Sequence, residues 1–445
     1  MSPAENRDHG YLPRGEGWYK RTVSADMVEA GGTALLHFEG AFRDTSVYLD
    51  GTLALHHLSG YTGFTVALAN RVTEVVVFCN ASLGEGWFYE GGGIYRPVHL
   101  VQTADRLRLA HQGVAVRTKI AEAFAAPPSG LHDGPTADIE AVSANGNLLR
   151  TPHGIQCTAE TDRGGGGECR ADSVKVAVSV EVTNGRDANA SFRIVATLHS
   201  GATGGQVVAT ATTGEHPAAI APGETATVHF AMAVTNVSLW SMDFPRLYRL
   251  ETTLVGVTSF GTAGDLDTDV AVIGVRKIQW RLDSGLRLNN RAVKLRGVAN
   301  HQDLGGVGTA VPDALQPYRV HTMKAVGANF WRCAHNPPNR ALLAAADRLG
   351  MAVMVENRRF GPGDNYDTDN AAPPVTPDQI ADDVTAMARA HRNSPSVFMW
   401  SLCNEEGCFE KRNTSAAGGS VGARMKQRLQ TLDGSRAARQ PRHSF

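Results

Sequence analysis

The chain has 445 residues, enough for about three domains, and its 43 Lys and Arg balance 44 Asp and Glu to a net charge of −1. That balance supplies no basic excess for nucleic acid and no acidic tail, and no apolar run approaches the ~20 residues of a membrane span. Six cysteines are too sparse for a disulfide scaffold and include no CxxC pair for zinc. The N-terminus has no apolar stretch of the signal-peptide kind, so a cytoplasmic location is favoured unless the start lies upstream.

Residues 1–105 read as β structure. Ala34 to Phe38, Thr45 to Leu49 and Val72 to Cys79 are β-prone runs, and Asp50-Gly51 supplies a hairpin turn. Trp18 and Tyr95 are expected in the core. Residues 106–279 form a second β region. Val174, Val176, Val178, Val180 and Val182 occupy every second position, and Phe192, Ile194, Ala196 and Leu198 repeat the pattern, as do Val228, Phe230 and Met232. Alternating strands of this number suggest an immunoglobulin-like sandwich. The Gly-rich stretch at about 144–172 has no periodicity and reads as a mobile insertion. Cys157 and Cys169, which flank its glycines, could pair in an oxidising compartment, with two free loop thiols the favoured reading.

After about residue 285 strand-like and helical runs alternate. Val293 to Val298, Asn329 to Cys333, Ala352 to Val355 and Val397 to Leu402 are strands. Helices are expected at about Asp313 to Val326, Asn339 to Leu349, Thr376 to His391, with Thr376 as N-cap and Pro377 at N1, and Val421 to Leu432. Four βα units in residues 280–445 make the first half of a (β/α)8 TIM barrel, which takes ~250 residues in full. The basic tail, Arg436 to Phe445, shows no strand pattern where a fifth strand is due.

Trp400-Ser-Leu-Cys-Asn-Glu405 carries the chemistry. Its apolar strand delivers Asn404 and Glu405 to the C-terminal end, where barrel enzymes work. A carboxyl beside an amide suits acetal hydrolysis: the carboxyl protonates the leaving oxygen and the amide grips a neighbouring hydroxyl. Such hydrolysis uses two carboxylates. Glu406 faces the other side of the strand by alternation, and Glu410 follows the same strand too closely to serve as the second. Trp87-Phe88-Tyr89 reads as a packing cluster of the first β domain that can also stack on sugar faces.

Four stretches together resemble glycoside hydrolase family 2, most closely its β-galactosidases: Lys294-Leu-Arg-Gly-Val-Ala-Asn-His-Gln-Asp303, Asn329-Phe-Trp-Arg-Cys-Ala-His-Asn-Pro-Pro338, Asp347-Arg-Leu-Gly-Met-Ala-Val-Met-Val-Glu-Asn-Arg358 and Trp400 to Glu405. Gly17-Trp-Tyr19, Gly93-Ile-Tyr-Arg-Pro97, Leu239-Trp-Ser241 and Gly274-Val-Arg276 match earlier in the chain. The resemblance implies a jelly-roll sandwich, an immunoglobulin-like sandwich and then the catalytic barrel, of which this sequence holds the first half. It implies a truncation at the C-terminus and another at the N-terminus.

By the same resemblance Glu405 is the general acid/base and Asn404 binds the sugar hydroxyl beside the reacting carbon. His301 and His335, at the ends of the first and second barrel strands, contact sugar hydroxyls, and Glu356, by the site at the end of the third, is counted with them among the substrate-binding residues. Arg332 matches a residue that orients the nucleophile. The nucleophile itself ends the family's seventh strand and is absent from this chain, which would leave Arg332 an uncompensated cation if buried. Arg358-Arg359-Phe360 replaces the metal-binding residues of some relatives, so no metal and no cofactor is expected. The function implied is retaining hydrolysis of terminal β-galactosides, with this chain alone weak or inactive. The alternatives are a non-catalytic carbohydrate-binding pseudoenzyme, β-glucuronidase or β-mannosidase specificity, and a homo-oligomer or partner that completes the barrel.

Overall fold

In a computed structural model the described residues are 15–23, 31–68, 73–82, 92–121, 149–150, 154–158, 167–216, 219–258, 261–358, 376–404 and 421–439. Glu405, Glu406, Glu410, Val72 and Trp87-Phe88-Tyr89 lie outside them.

The first unit holds β1 (Glu16–Thr22), β2 (Thr33–Phe38), β3 (Ala41–Phe42), β4 (Thr45–Leu49), β5 (Thr52–His57), β6 (Phe64–Leu68), β7 (Glu74–Asn80), β8 (Gly93–Ile94) and β9 (Val98–Thr103). They pair as β1-β7-β4-β5, β6-β2-β9 and β3-β8. Alternation drives the layering: Val75, Val77 and Cys79 of β7 are buried while their neighbours are half-exposed, and they meet Ala34, Phe38, Phe64 and Val66. Asp50 and Gly51 both have positive φ, 45° and 78°, as the tight β4–β5 hairpin requires. Trp18 corrects the expectation of a core residue. It is 62% exposed, and its ring lies on Phe78 at 4.5 Å on the outer face of β1.

The second unit holds β10 (Leu107–Leu109), β11 (Ala115–Ile120), β12 (Leu149–Arg150), β13 (Ile155–Cys157), β14 (Cys169–Asn184), β15 (Ser191–Ser200), β16 (Val207–Thr212), β17 (Thr225–Ser238), β18 (Tyr248–Thr258) and β19 (Gly261–Ile273). Two antiparallel sheets face each other. One centres on β14, paired with β10, β11, β13 and β17; the other runs β16-β15-β18-β19. The five alternating valines of β14 are buried, and Phe192, Ile194, Ala196 and Leu198 of β15 meet them. Two expectations fail here. The 144–172 stretch contributes β12, β13 and the start of β14 to the sheet, because main-chain pairing needs no side-chain periodicity. Cys157 and Cys169 are neighbours across that β13–β14 pair and form a disulfide, the less favoured of the two readings left open for them.

A small antiparallel sheet of β20 (Ile278–Arg281), β21 (Gly285–Leu288) and β22 (Arg291–Ala292) leads into the third unit. There β23 (Gly297–Asn300), β24 (Phe330–Cys333), β25 (Ala352–Glu356), β26 (Val397–Ser401) and β27 (Ala437–Arg439) form one parallel sheet in sequence order. The helices α1 (Gln316–Ala325), α2 (Arg340–Leu349), α3 (Pro377–His391) and α4 (Val421–Leu432) alternate with the last four of these strands. The basic tail shows no strand pattern of its own, yet residues 437–439 supply the fifth strand due there, β27, beside β26. Three residues suffice there because pairing with a formed neighbour replaces any pattern of their own.

Caps set the helix boundaries. The N–H of Leu342 donates to the Asn339 side chain at 3.0 Å, and Thr376 and Gln379 exchange the two bonds of a capping box at the start of α3. Gly350 ends α2 with φ 73°, and a Cβ there would stand 2.2 Å from the carbonyl oxygen of Met242, so the position admits glycine alone. Trp331, Val353, Val355, Val397 and Trp400 bury one face of the sheet against Leu342, Leu343, Ile380, Val384, Met425 and Leu429 of the helices. The units lock together through polar contacts. The Arg389 guanidinium grips Glu181 of β14 with both nitrogens at 2.9 and 2.6 Å, and Trp240 Nε1 donates to the carbonyl of Asp347 at 2.9 Å.

Candidate active site

Parallel pairing aligns the C-terminal ends of β23 to β26, so residues far apart in sequence converge at one rim. Asn300 lies opposite Cys333, Arg332 opposite Met354, and Glu356 opposite Ser401. His301 follows β23, His335 follows β24, Glu356 ends β25, and Asn404 comes three residues after β26.

Glu356 is the hub. It has no solvent exposure, and three side chains saturate its carboxylate. Arg332 Nη2 donates to both oxygens at 3.0 and 2.9 Å, with Nε adding a bond of 3.2 Å. The Ser401 hydroxyl donates to Oε2 at 2.7 Å, and His335 Nδ1 lies 2.9 Å from Oε1. A buried carboxylate is tolerated only with such company. His335 Nδ1 thus faces Glu356 and, at 3.2 Å, Arg332 Nη2, which leaves Nε2 of the ring outside those contacts. Arg332 Nη2 also donates to Asn404 Oδ1 at 2.7 Å, and Asn404 is 5% exposed. That bond turns the amide so that its NH2 group remains to donate elsewhere.

Arg332 is therefore not the uncompensated cation the sequence suggested. Its charge is met by Glu356, and Asn404 takes a further bond from it. The expectation failed because Glu356 and Arg332, separated by a whole βα unit, are brought together only by the β24–β25 register.

His301 stacks edge-on against His335, ring centroids 5.0 Å apart. Burial pushes its pKa down, with the positive field of His335 adding to the effect, so it stands as a neutral donor–acceptor at pH 7. Its loop is held by Arg319 of α1, which donates to the carbonyl oxygens of His301 (2.6 Å), Gln302 (3.0 Å) and Asp303 (3.2 Å). The first unit reaches this rim as well. Arg96, from the Gly93 to Pro97 motif, donates to the Tyr61 carbonyl (2.7 Å), the Pro337 carbonyl (2.7 Å) and Gln302 Oε1 (3.2 Å). Cys333, between Arg332 and the His335 loop, is fully buried, and burial, then the charge of Glu356, pushes its thiol far up, so it is inert.

Four candidates, His335, Arg332, Glu356 and Asn404, thus share one hydrogen-bonded network, and His301 packs against it. Glu405 lies outside the described residues, next in sequence to Asn404. Ser401, Arg319 and Arg96 were not singled out for the site. Arg96 stood inside a quoted motif, but its partners lie up to 241 residues away. A serine at a strand end gives no sign of the carboxylate opposite it until the register is known. Trp400, read as barrel packing, is buried and donates Nε1 to Asp433 at 3.1 Å. Among the described residues no cluster of three or more His, Cys, Asp or Glu could hold a metal ion.

A parallel barrel sheet preceded by two sandwiches thus carries a polar rim at the C-terminal ends of its strands. Comparison with known families places the chain. Residues 281–440 match the description "Glycosyl hydrolases family 2, TIM barrel domain", and residues 168–262 match "Glycosyl hydrolases family 2". The chain belongs to glycoside hydrolase family 2. It is 27% identical over 402 residues to "Beta-galactosidase BoGH2A" of Bacteroides ovatus, a match that covers 89% of this chain and 40% of the relative. A Formosa agariphila protein named as a beta-glucuronidase is 23% identical over 407 residues, covering 89% of this chain and 32% of that one. The crystal structure of a family 2 member from Bacteroides cellulosilyticus superposes with a TM-score of 0.73 at 23% identity, over 98% of this chain and 51% of that one. The chain spans about two fifths or less of the length of these curated relatives.

Proposed function

We propose that this chain carries the acid/base half of a retaining β-galactosidase site, with Glu405 as the general acid/base. The observation that supports this most is the bond from Arg332 to Asn404, which seats the residue before Glu405 at the rim and in a fixed orientation. In this reading Glu405 protonates the glycosidic oxygen as the bond breaks, then takes a proton from water as the glycosyl-enzyme is hydrolysed. The Asn404 NH2 group donates to the hydroxyl beside the reacting carbon. His301, as a neutral imidazole, and the Nε2 of His335 serve further hydroxyls. Glu356 works from behind, holding Arg332 and His335, and touches no sugar. The nucleophilic carboxylate is unassigned, and the 445-residue chain by itself turns over weakly or not at all.

We favour a neutral sugar over a uronic acid at the part of the rim held by Arg332, Arg319 and Arg96. A glucuronide needs a cation with donors to spare for its carboxylate. Arg332 is engaged by Glu356 and Asn404, Arg319 by three carbonyls, and Arg96 by two carbonyls and Gln302. The test is to compare an aryl β-galactoside with the matching β-glucuronide in the protein that carries this sequence, following the first-formed sugar by NMR. Preferred release of galactose as the β anomer is expected. Preference for the glucuronide, or an α anomer first, contradicts the reading.

On location, no helix among the described residues is long and apolar enough to cross a membrane. The cytoplasmic expectation stands against a disulfide-bonded Cys157–Cys169 pair and a disulfide-bonded Cys403, bonds characteristic of oxidising compartments.

A further inference from the structure

At the opposite end of the barrel sheet from the candidate active site, a cleft of about 220 Å³ opens between β11, the segment joining β19 to β20, the α3–β26 turn and the residues just before β27. Arg117, Lys119, Arg276, Lys277, Arg392 and Arg436 all line it, and no carboxylate does among the described residues. Arg276, Arg392 and Arg436 form its interior, while Arg117 and Lys119 are exposed at its edge.

Most of the bonds these cations make go to backbone carbonyls, which orient them without cancelling their charge. Arg276 Nη2 donates to the Val397 carbonyl (2.6 Å), Arg392 Nη2 to Gln112 (2.7 Å) and Arg117 Nη2 to Leu432 (2.9 Å). Arg436 has a carboxylate partner, Asp433. Nearby Asp347 is occupied by Ser394 and the Ser396 N–H. The Nε of Arg276 and the Nε of Arg392 are buried with no hydrogen-bond partner among the described residues, and Arg392 is only 8% exposed. A guanidinium buried with an unmet donor, beside like charges, is costly. The cost shows in their basicity: burial, then repulsion from Arg436, lowers Arg276 to about 9, and burial, then Arg389, lowers Arg392 to about 10.

We propose that this cleft is an anion site for a compact oxyanion: inorganic phosphate or sulfate, or the phosphate or sulfate group of a small ester. Such a group accepts several charge-assisted bonds at once and fits the fork of a guanidinium. It would offset the repulsion among the cations that line the cleft. The cleft's size suits one tetrahedral anion with a few waters and excludes most of a long polyanion.

The experiment is isothermal calorimetry of the full chain with inorganic phosphate, sulfate and phenyl phosphate at matched ionic strength, with chloride as control. The Arg117→Gln/Lys119→Gln double variant serves as the comparison, since both residues are exposed edge positions remote from the active-site rim. One-to-one saturable binding that weakens about tenfold in the double variant is expected. Tighter binding of phenyl phosphate than of the free ions assigns the site to an ester, and the reverse order assigns it to the free ion. Absence of saturable binding at millimolar concentrations, equal affinity in the variant, or binding of heparin without phosphate or sulfate overturns the proposal.

Discussion

Glu356 is the residue on which the rim depends. Its substitution leaves Arg332, 23% exposed at its side chain, beside a partner that no longer carries charge, and removes the acceptor that fixes the His335 ring. Glu356→Ala is expected to cost about 3 kcal/mol in urea denaturation, near the lower end for a broken buried pair because Arg332 keeps some water. Ser401→Ala removes one bond to the same carboxylate and costs roughly 1 kcal/mol. A Glu356→Ala chain as stable as the parent contradicts the hub role. The residue types of this network were legible in the sequence, since Arg332, His335, Glu356 and Asn404 stand in motifs that resemble one family. Their connections were not, because hydrogen-bond partners follow from strand register. The sequence left Arg332 without a counter-charge for that reason.

At the scale of elements, α3 carries two buried groups that titrate in opposite senses. Asp383 faces the first unit, where Thr62 donates to it, and burial raises its pKa from 3.8 to about 7. The folded state then holds this proton more tightly than the unfolded chain. Its contribution is lost as pH rises from about 4 to about 7, and above that the buried charge costs about 4 kcal/mol. His391, the last residue of the helix, is lowered to about 3 by burial, then by Arg340 and Arg96, so it destabilises the fold as pH falls below about 6.5. Asp383→Asn is expected to gain stability above pH 7, to change little below pH 4, and to move the pH of maximum stability upward. A pH-independent effect contradicts the buried-charge account. The Cys157–Cys169 bond closes a sequence separation of 12 residues. Its reduction is expected to lower stability by about 3 kcal/mol in the same assay, if chain entropy governs the bond. Helices with caps were readable in advance, since Thr376, Pro377 and Asn339 announce where α2 and α3 begin. The short strands β12, β13 and β27 were not, because two or three residues show no period and only a neighbouring strand defines them.

At the scale of the whole molecule, the two sandwiches support the barrel rim as well as preceding it. Arg96 extends from the first unit to the loops after β23 and β24, and Arg389 ties α3 to β14. Arg96→Ala should loosen the first unit from the barrel, which limited proteolysis would register as earlier cleavage between them, with stability down by about 2 kcal/mol. Unchanged proteolysis counts against that bridging role. The measurement that tests the central claim most directly is turnover of aryl β-galactosides with good and poor leaving groups, comparing the Glu405→Gln variant with the parent in the protein that carries this sequence. A general acid contributes about 10²–10⁴-fold. The account expects a loss of that order, larger for the poor leaving group, which needs protonation most. A variant that keeps parental rates on both substrates contradicts it.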